Sequence, residues 1–584
     1  MPRIDEMPDY RAQLGSTSHD LSHSFGFTAT CAHLLPVYHD LVQPGERVRL
    51  GFNFNLRTQP LQSAAMEEID VYTEYFFVPM PLIYEPFGST YYNILDNYSS
   101  NYPSNVGSRL GSNFPVLDFA ALASEVYEQR ANRPLSQDGV TIGESIGQMY
   151  YRLFDMLGYN PTLSAEEGVN FNPNTFPYPI LAYNCIYQYY YRLDNRELFN
   201  QHTFNWDKFY NTALVDYSNL TVRLYYRPLA NDYFSDLKVS PIVDVLNLNV
   251  KTSFEQANNW LTRSIFEHNQ RTVLSSGTPS QMVGSQTPNN AVQSNFGFNS
   301  VAGSTTGIYL NGTDINTANI RAMFATEKLW SVTGRAKKHY DDQTLAHFGF
   351  KVPHDPKHEI SVFGKDHSVI HIGEVISTAA TTDAPLGEIA GKGYGSQQSK
   401  RHDFTAPCHG VVMVIFSIVP RLRYQNTYLK VNALTSRLDL PIPEYDHLGM
   451  QPVFRYETNI DGTNAQERSD VMGWQYRYEQ YKRRFNRVTR VFQSGGTLSS
   501  WMLHNNATRM QLPNGANKNQ YLSFVYWPTD LGSIMLVPYE NGWSDAFDEN
   551  NALIYDKDPF IVDSYVYSKK ISWMSDYSLP RLDA

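Results

Sequence analysis

Gly143-Glu144-Ser145-Ile146-Gly147 has the Gly-x-Ser-x-Gly spacing of a nucleophile elbow, the strained strand-to-helix turn that lifts a serine hydroxyl toward an acyl carbon. Such a turn needs a buried strand directly upstream. Only Val140-Thr141-Ile142 is available, after the turn-forming Gln137-Asp138-Gly139, so Ser145 reads as part of a loop leading into a helix. His354, Asp355, His358 and Glu359 carry metal-ligating groups, but Pro353 and Pro356 prevent the helix that would align the two imidazoles, and a surface turn is expected. His19, Asp20 and His23, near one end of the sequence, read as solvated or capping groups. Gly387, Gly391, Lys392, Gly393 and Gly395 resemble a phosphate loop but fail its spacing and lack its final hydroxyl. Cys31, Cys185 and Cys408 are far apart and show no CxxC spacing, which argues against a disulfide framework or zinc site and fits a reducing compartment. No catalytic residue, cofactor site or metal ligand is assigned.

The strongest local departure in charge runs from Trp474 to Arg490. Arg477, Lys482, Arg483, Arg484, Arg487 and Arg490 face a single acid within the segment, Glu479, and Trp474, Tyr476, Tyr478, Tyr481 and Phe485 interleave with them. Cations can pair with phosphates while rings stack unpaired bases, which is the chemistry of a single-stranded DNA contact. The same residues can instead bridge to an acidic neighbouring subunit while the rings fill a core. Both readings stand. A lesser basic turn, Arg335, Lys337, Lys338 and His339, carries the same ambiguity.

The elements that position these groups are mostly strands. Val48, Leu50, Phe52, Phe54 and Leu56 alternate with polar residues or glycine, as a half-buried strand requires. Ile69, Val71, Tyr75 and Phe77 form a second such strand, with Asp70 and Glu74 opposite and Pro79 ending the run. Further strands are expected at 221–226, 411–419, 487–492, 521–527 and 561–567. Helical spacing links Ile146, Met149, Tyr150, Leu153 and Leu157, closed by Gly158. Two more helices are expected, over 180–193 and around Ile320, Met323 and Phe324 up to Gly334. Helices that do not alternate with strands favour a mainly β fold, a β-sandwich with long helix-containing loops, over a doubly wound sheet or a TIM barrel.

The chain of 584 residues carries 47 Lys and Arg against 58 Asp and Glu, a net charge of −11, which argues against a protein that coats nucleic acid with its whole surface. With 42% hydrophobic and 18% charged residues it is expected to fold, and its 41 Tyr and 32 Phe favour strands and contact surfaces. Between Thr272 and Ile320 the only charged side chain is Asp314, so this polar stretch is expected to project as an insertion, with a flexible linker as the alternative. The opening Met1-Pro2-Arg3-Ile4-Asp5-Glu6 lacks the apolar run of a signal peptide, and Val411 to Val419 is about half a membrane span, so no membrane partner is expected. No repeat of solenoid or propeller length is present.

Short segments distributed over the chain carry a resemblance. They are Ser18-His19-Asp20-Leu21-Ser22-His23, Leu35-Pro36-Val37, Pro44-Gly45-Glu46, Tyr75-Phe76-Phe77-Val78-Pro79 and Ala182-Tyr183-Asn184, followed by Asn231-Asp232-Tyr233-Phe234, His347-Phe348-Gly349, Pro385-Leu386-Gly387 and Ile561-Val562-Asp563. In that order and spacing they resemble the major capsid proteins of the Microviridae, small single-stranded DNA bacteriophages, and most closely the gokushovirus branch.

The resemblance covers nearly the full length. It implies one capsid domain over 1–584, built on an eight-stranded viral jelly roll, with a loop and helix insertion at 85–180 and a polar insertion at 254–320 forming threefold protrusions. It further implies self-assembly into a T=1 icosahedral shell around circular single-stranded DNA, formed in the bacterial host cytoplasm and located in the virion. Expected partners are other copies of the chain, the genome, a small basic DNA-binding protein, other virion proteins and a host surface receptor. One departure is the N-terminal arm, where Arg3 and Arg11 are outweighed by Asp5, Glu6 and Asp9. A contrasting class, an aromatic-rich glycan-binding or glycan-hydrolysing β-sandwich, would need a pair of carboxylates that the sequence does not place.

Overall fold

The computed structural model describes residues 15–91, 114–119, 122, 134–137, 140–159, 173–192, 204–206, 222–228, 232–238 except 235, 253–256, 308–311, 317–335, 340–376, 389–457 except 422, 426, 436, 447 and 448, 471–502 except 494, and 558–574. The chain divides into two compact units. One comprises Met1–Pro241 with Phe350–Ala584, and the other Ile242–Gly349.

In the first unit the strands are β1 (Thr17–Asp20), β2 (His23–Ala29), β3 (Leu35–Val42), β4 (Arg47–Thr58), β5 (Ile69–Pro79), β6 (Pro134–Gln137) and β7 (Val140–Ser145). The second unit holds β8 (Ser253–Gln256) and β9 (Ile308–Asn311). The first unit resumes with β10 (Ser361–Ile376), β11 (Ile389–Gln397), β12 (His402–Thr405), β13 (Gly410–Pro420), β14 (Met450–Phe454), β15 (Val471–Tyr476) and β16 (Phe560–Ser572). Its longer helices are α1 (Ile146–Met156) and α2 (Tyr178–Ile186), and those of the second unit are α3 (Thr317–Arg335) and α4 (Tyr340–Phe348).

Alternation along β4 comes out as read: Val48, Leu50, Phe52, Phe54 and Leu56 are buried. β4 pairs with β16 over nearly its whole length. β1 and β2 follow one another along the far side of β16, and β12 and β11 along the far side of β4, which makes a first layer four strand positions wide. The second layer is β10–β5–β13–β3. All of these ladders are antiparallel. β10 joins the layers, because residues 361–370 pair with β5 and residues 371–376 pair with β11. The sheet therefore curls onto itself as the antiparallel sandwich of a jelly roll.

Rings lock the layers together. Phe416 of β13 lies 5.5 Å from Phe27, 5.7 Å from Phe52 and 5.3 Å from Phe54, centroid to centroid. Phe404 of β12 meets Phe77 at 5.0 Å and Phe363 at 4.8 Å.

The second layer differs from the half-buried expectation, since nearly all of β5 and every residue of β13 are buried. Helix α2 and the residues that follow it supply the cover. Residues Pro179 to Ile186 of α2 are buried, Tyr183 Oη donates to the Leu34 carbonyl at 2.9 Å, and Phe76 meets the Tyr190 ring at 5.0 Å. Glu74 therefore lies under protein, where it accepts from Tyr190 Oη at 2.9 Å, from Tyr191 Oη and from Arg227 at 2.8 Å. α1 ends as expected at Gly158, whose φ of 74° suits a residue without a side chain.

Three expected strands fare differently. Of the 221–226 stretch, the described residues 222–226 form no strand but make an isolated bridge, His33 to Tyr226. The 487–492 stretch makes one bridge at Arg487 and then a 3-10 turn, Arg490–Phe492, entered through Arg490 at φ 55°. The 521–527 stretch lies outside the described residues.

In the second unit β8 and β9 pair antiparallel, and α3 and α4 are tied by a 2.9 Å hydrogen bond between Thr333 Oγ1 and His347 Nε2. Most of the 254–320 stretch lies outside the described residues.

Candidate assembly and nucleic-acid surfaces

Ser145 ends β7, whose ladder partner is β6, and α1 starts at the next residue. The strand before the serine belongs to a two-stranded hairpin, which is not the central sheet strand an elbow requires. His354 and His358 sit in an exposed turn. His354 Nδ1 lies 2.6 Å from Glu359 and its Nε2 3.0 Å from Ser361, while His358 bonds Asp355 at 2.7 Å. The side chains thus pair off locally. His19 reaches the Met574 carbonyl at 3.2 Å, and Asp20 accepts from the Ser22 amide at 3.0 Å. Among the described residues no group of His, Cys, Asp and Glu is arranged to hold a metal ion.

Gly391, Lys392, Gly393 and Gly395 lie on strand β11, and Gly387 lies outside the described residues. The three strand glycines are buried, Gly391 under the chain that leaves β4, Gly393 against Thr58 at the end of β4 and Gly395 against Ile370 of β10. A Cβ on Gly391 would lie 2.2 Å from the Ser63 carbonyl oxygen, and one on Gly393 would lie 2.3 Å from Thr58 Cγ2. Close packing over Gly391 and Gly393 explains these two glycines without any phosphate.

In the 474–490 patch the rings are divided, with Tyr478 buried, Trp474 and Phe485 half-buried and Tyr476 and Tyr481 exposed, while the cations are mostly outside. Tyr478 is buried and Phe485 packs 4.7 Å from Phe234 and 5.5 Å from Tyr233, while Tyr481 stays exposed and donates to the Asp439 carbonyl at 3.1 Å. Acids remote in sequence answer part of the charge. Lys482 pairs with Asp446 at 2.6 Å and Arg483 with Asp236 at 3.1 Å, while Glu479 of the segment itself lies 2.7 Å from Arg483. The Arg477 guanidinium lies over the Tyr478 and Tyr445 rings at 5.1 and 6.0 Å. Arg484, Arg487 and Arg490 are exposed, and among the described residues they make no ion pair or side-chain hydrogen bond. Of the lesser basic turn, Arg335 is exposed at the end of α3, and 337–339 lie outside the described residues.

Sequence reasoning missed a set of interior charges that pin distant segments to the sandwich. Lys570, on the inward phase of β16, reaches Asp40 at 3.1 Å and Glu46 at 3.3 Å. Burial raises the Asp40 carboxyl above its ordinary value, and Lys570 opposes that rise. Arg152 of α1 pairs with Asp558 just before β16, and Asp558 also accepts from Thr28 at 2.6 Å. Lys430 lies 3.5 Å from Glu457, and burial pushes the amine down and the carboxyl up. The one available signal was a lysine where the alternation of β16 calls for an apolar residue.

A ring-packed sandwich whose interior charges are spent on holding its own segments is a structural protein that works through its surfaces. Comparison with known proteins gives its family. Residues 11–105 and 145–522 match the family described as Capsid protein (F protein), and the chain belongs to that family. It is 22% identical to Capsid protein VP1 of Chlamydia phage 1 over an alignment of 636 residues that takes in 99% of this chain and 97% of that protein. A 131-residue stretch is 28% identical to Capsid protein VP1 of Bdellovibrio phage phiMH2K, covering 22% of this chain and 24% of that one. The resemblance to Microviridae capsid proteins read from the sequence therefore holds, and the chain is a phage capsid protein rather than an enzyme. The glycan-hydrolysing alternative is replaced by this membership.

Proposed function

We propose that copies of this capsid protein close into a T=1 icosahedral shell around a circular single-stranded DNA genome and that the shell presents protrusions for host attachment. The observation that carries the reading is the full-length match to a phage capsid protein in a chain whose core is a curled antiparallel sandwich. A closed shell needs each subunit to offer several different patches at fixed angles, and a stiff two-layer body with long loops provides them. Tyr and Phe bury large areas while freezing few torsions, so many modest contacts add up.

The 254–320 insertion is assigned to the protrusions, within a single capsid domain elaborated at 85–180. In the 477–490 patch, Arg477, Tyr478, Lys482 and Arg483 serve the fold of their own subunit, and the exposed Arg484, Arg487 and Arg490 are assigned to a contact with a neighbouring acidic subunit. A net charge of −11 makes a small basic protein a sensible partner for neutralising the genome. Assembly in the bacterial cytoplasm, contacts with other virion proteins and a surface receptor complete the reading.

The test is sedimentation of particles from cells making the chain together with its phage genome, followed by nuclease treatment. Circular single-stranded DNA surviving inside the particle fraction is the expected result. Particles holding only duplex DNA, or none, contradict the reading.

A further inference from the structure

The side of β4 and β16 turned away from the core is laid out in cross-strand rows, because directly opposed residues of an antiparallel ladder share a face. The register places Tyr394, Arg57 and Ile561 in one row and Ser396, Asn55 and Asp563 in the next. Asn53 then lies beside Tyr565, and Asp403, Arg49 and Lys569 form a row further along. The middle rows floor an open depression of about 410 Å³, rimmed by Ser24 and Gln398. Its lining presents amides, hydroxyls, the Tyr565 ring and one carboxylate, and contains no cation.

Cations stand on both sides of this floor, whose one charged group is the Asp563 carboxylate. Arg57 and Lys392 lie toward one end, and Lys569 and Arg401 toward the other, with the Arg401 guanidinium 4.2 Å from the Tyr567 ring centre. Arg47 and Arg49 share Asp403. Cations outnumber acids here, on a chain whose net charge is −11. Tyr394 and Tyr565 are 49% and 46% exposed, an unusual outlay of ring surface on a sheet face.

We propose that this face is a platform for single-stranded nucleic acid, with bases entering the depression against Tyr565 and Tyr394 while Arg57, Lys392, Arg401 and Lys569 take the phosphates. A pocket without a cation does not select a phosphate, and cations flanking it would be idle toward a neutral sugar. Together they fit a polyanion that carries flat neutral groups. A duplex hides those groups, whereas unpaired bases lie open to stacking on rings and to amide hydrogen bonds. Every base has a π face, so recognition is tolerant of sequence. The inference rests on the reading that the shell encloses single-stranded DNA, and it puts genome contact on this face instead of at 477–490.

The experiment titrates a fluorescein-labelled oligothymidylate with the purified full-length chain by anisotropy over a range of salt. Tyr394→Ala with Tyr565→Ala is expected to weaken binding about tenfold or more, and Tyr565→Phe to retain it. Arg57→Ala with Lys392→Ala should flatten the slope of log affinity against log salt by about 1.4, from two lost phosphate contacts. Arg484→Ala with Arg487→Ala should change neither quantity. The proposal is overturned if the parent chain does not bind, if the ring variants bind as the parent does, or if the 484/487 variant produces the loss. Magnetisation transfer to dextran oligosaccharides that vanishes in the double tyrosine variant, without oligothymidylate binding, would assign the face to a glycan and also overturn it. Nuclease-protected DNA in particles whose ring variants bind normally removes the platform alone, whereas particles without DNA remove the reading beneath it.

Discussion

Phe416 of β13 meets Phe54 of β4 edge-on, with ring centres 5.3 Å apart and planes at 78°. The two residues belong to opposite layers, and Phe416 touches Phe52 and Phe27 of the first layer as well. One side chain on the second layer thus fills the space between three rings on the first. Phe416→Ala should cost about 3 to 5 kcal/mol through the lost contacts and the cavity left behind. A thermal melt of the purified variant, or its failure to accumulate as soluble protein, reads this out. An unchanged melting temperature would show that the layers do not depend on this contact.

Two glycines of the same sheet make a matched pair. A Cβ on Gly391 would lie 2.2 Å from a backbone oxygen, whereas one on Gly373 would meet nothing closer than 3.9 Å. Gly391→Ala should therefore destabilise by roughly 1 to 3 kcal/mol or block folding, and Gly373→Ala should be close to neutral. Equal denaturation midpoints for the two variants would contradict the tight crossing over β11.

Arg152 and Asp558 are both almost wholly buried, and their pair attaches α1 to the start of β16. Removing one partner leaves a charge without its counterion, so Arg152→Met should cost about 3 to 5 kcal/mol, and Arg152→Met with Asp558→Asn should recover much of the loss. Denaturant midpoints of the single and double variants measure the coupling. Simple additivity would show that the two side chains do not act as a pair.

His39 is half-buried beside the Tyr178 ring, and loss of hydration there lowers its pKa from the ordinary 6.5. The unfolded chain thus takes up a proton that the folded chain resists. Stability from this group is present above about pH 6.5 and is lost as pH falls below it through the depressed folded value. Asp40 and Glu457 have the opposite sign, since burial raises both, and what they contribute fades as pH rises. His39→Gln should therefore melt nearer to the parent at pH 5.5 than at pH 7.5. Parallel pH profiles would contradict the assignment.

Ser145→Ala should leave particle yield unchanged, and neither protein should cleave a p-nitrophenyl ester. Loss of a measurable esterase activity in the variant would restore the nucleophile reading.

What could be read from the sequence follows from where side-chain pattern and burial coincide. β4 alternates cleanly and β13 is an apolar run broken only by Ser417 between Val411 and Val419, so both were visible. Only 561–567 of β16 was expected, because its remaining inward positions hold Ser568, Lys570 and Ser572, of which Ser568 and Lys570 are satisfied by partners far away in sequence. Ser568 Oγ meets Tyr38 Oη at 2.9 Å, for example. β11 looked like a loop because glycine is depleted in strands, and its reason for being glycine is a chain crossing that only the fold reveals. The cations at 482 and 483 looked unopposed because Asp446 and Asp236 approach them only in three dimensions. The outer rows of β4 and β16 went unread for the same cause: their chemistry appears when strands from opposite ends of the chain pair.

The central claim is that identical copies of this ring-surfaced sandwich tile a closed shell, and electron microscopy of the purified full-length chain across a series of ionic strengths tests it most directly. Spherical particles of uniform diameter are the result this account predicts. Single soluble molecules under every condition would contradict it.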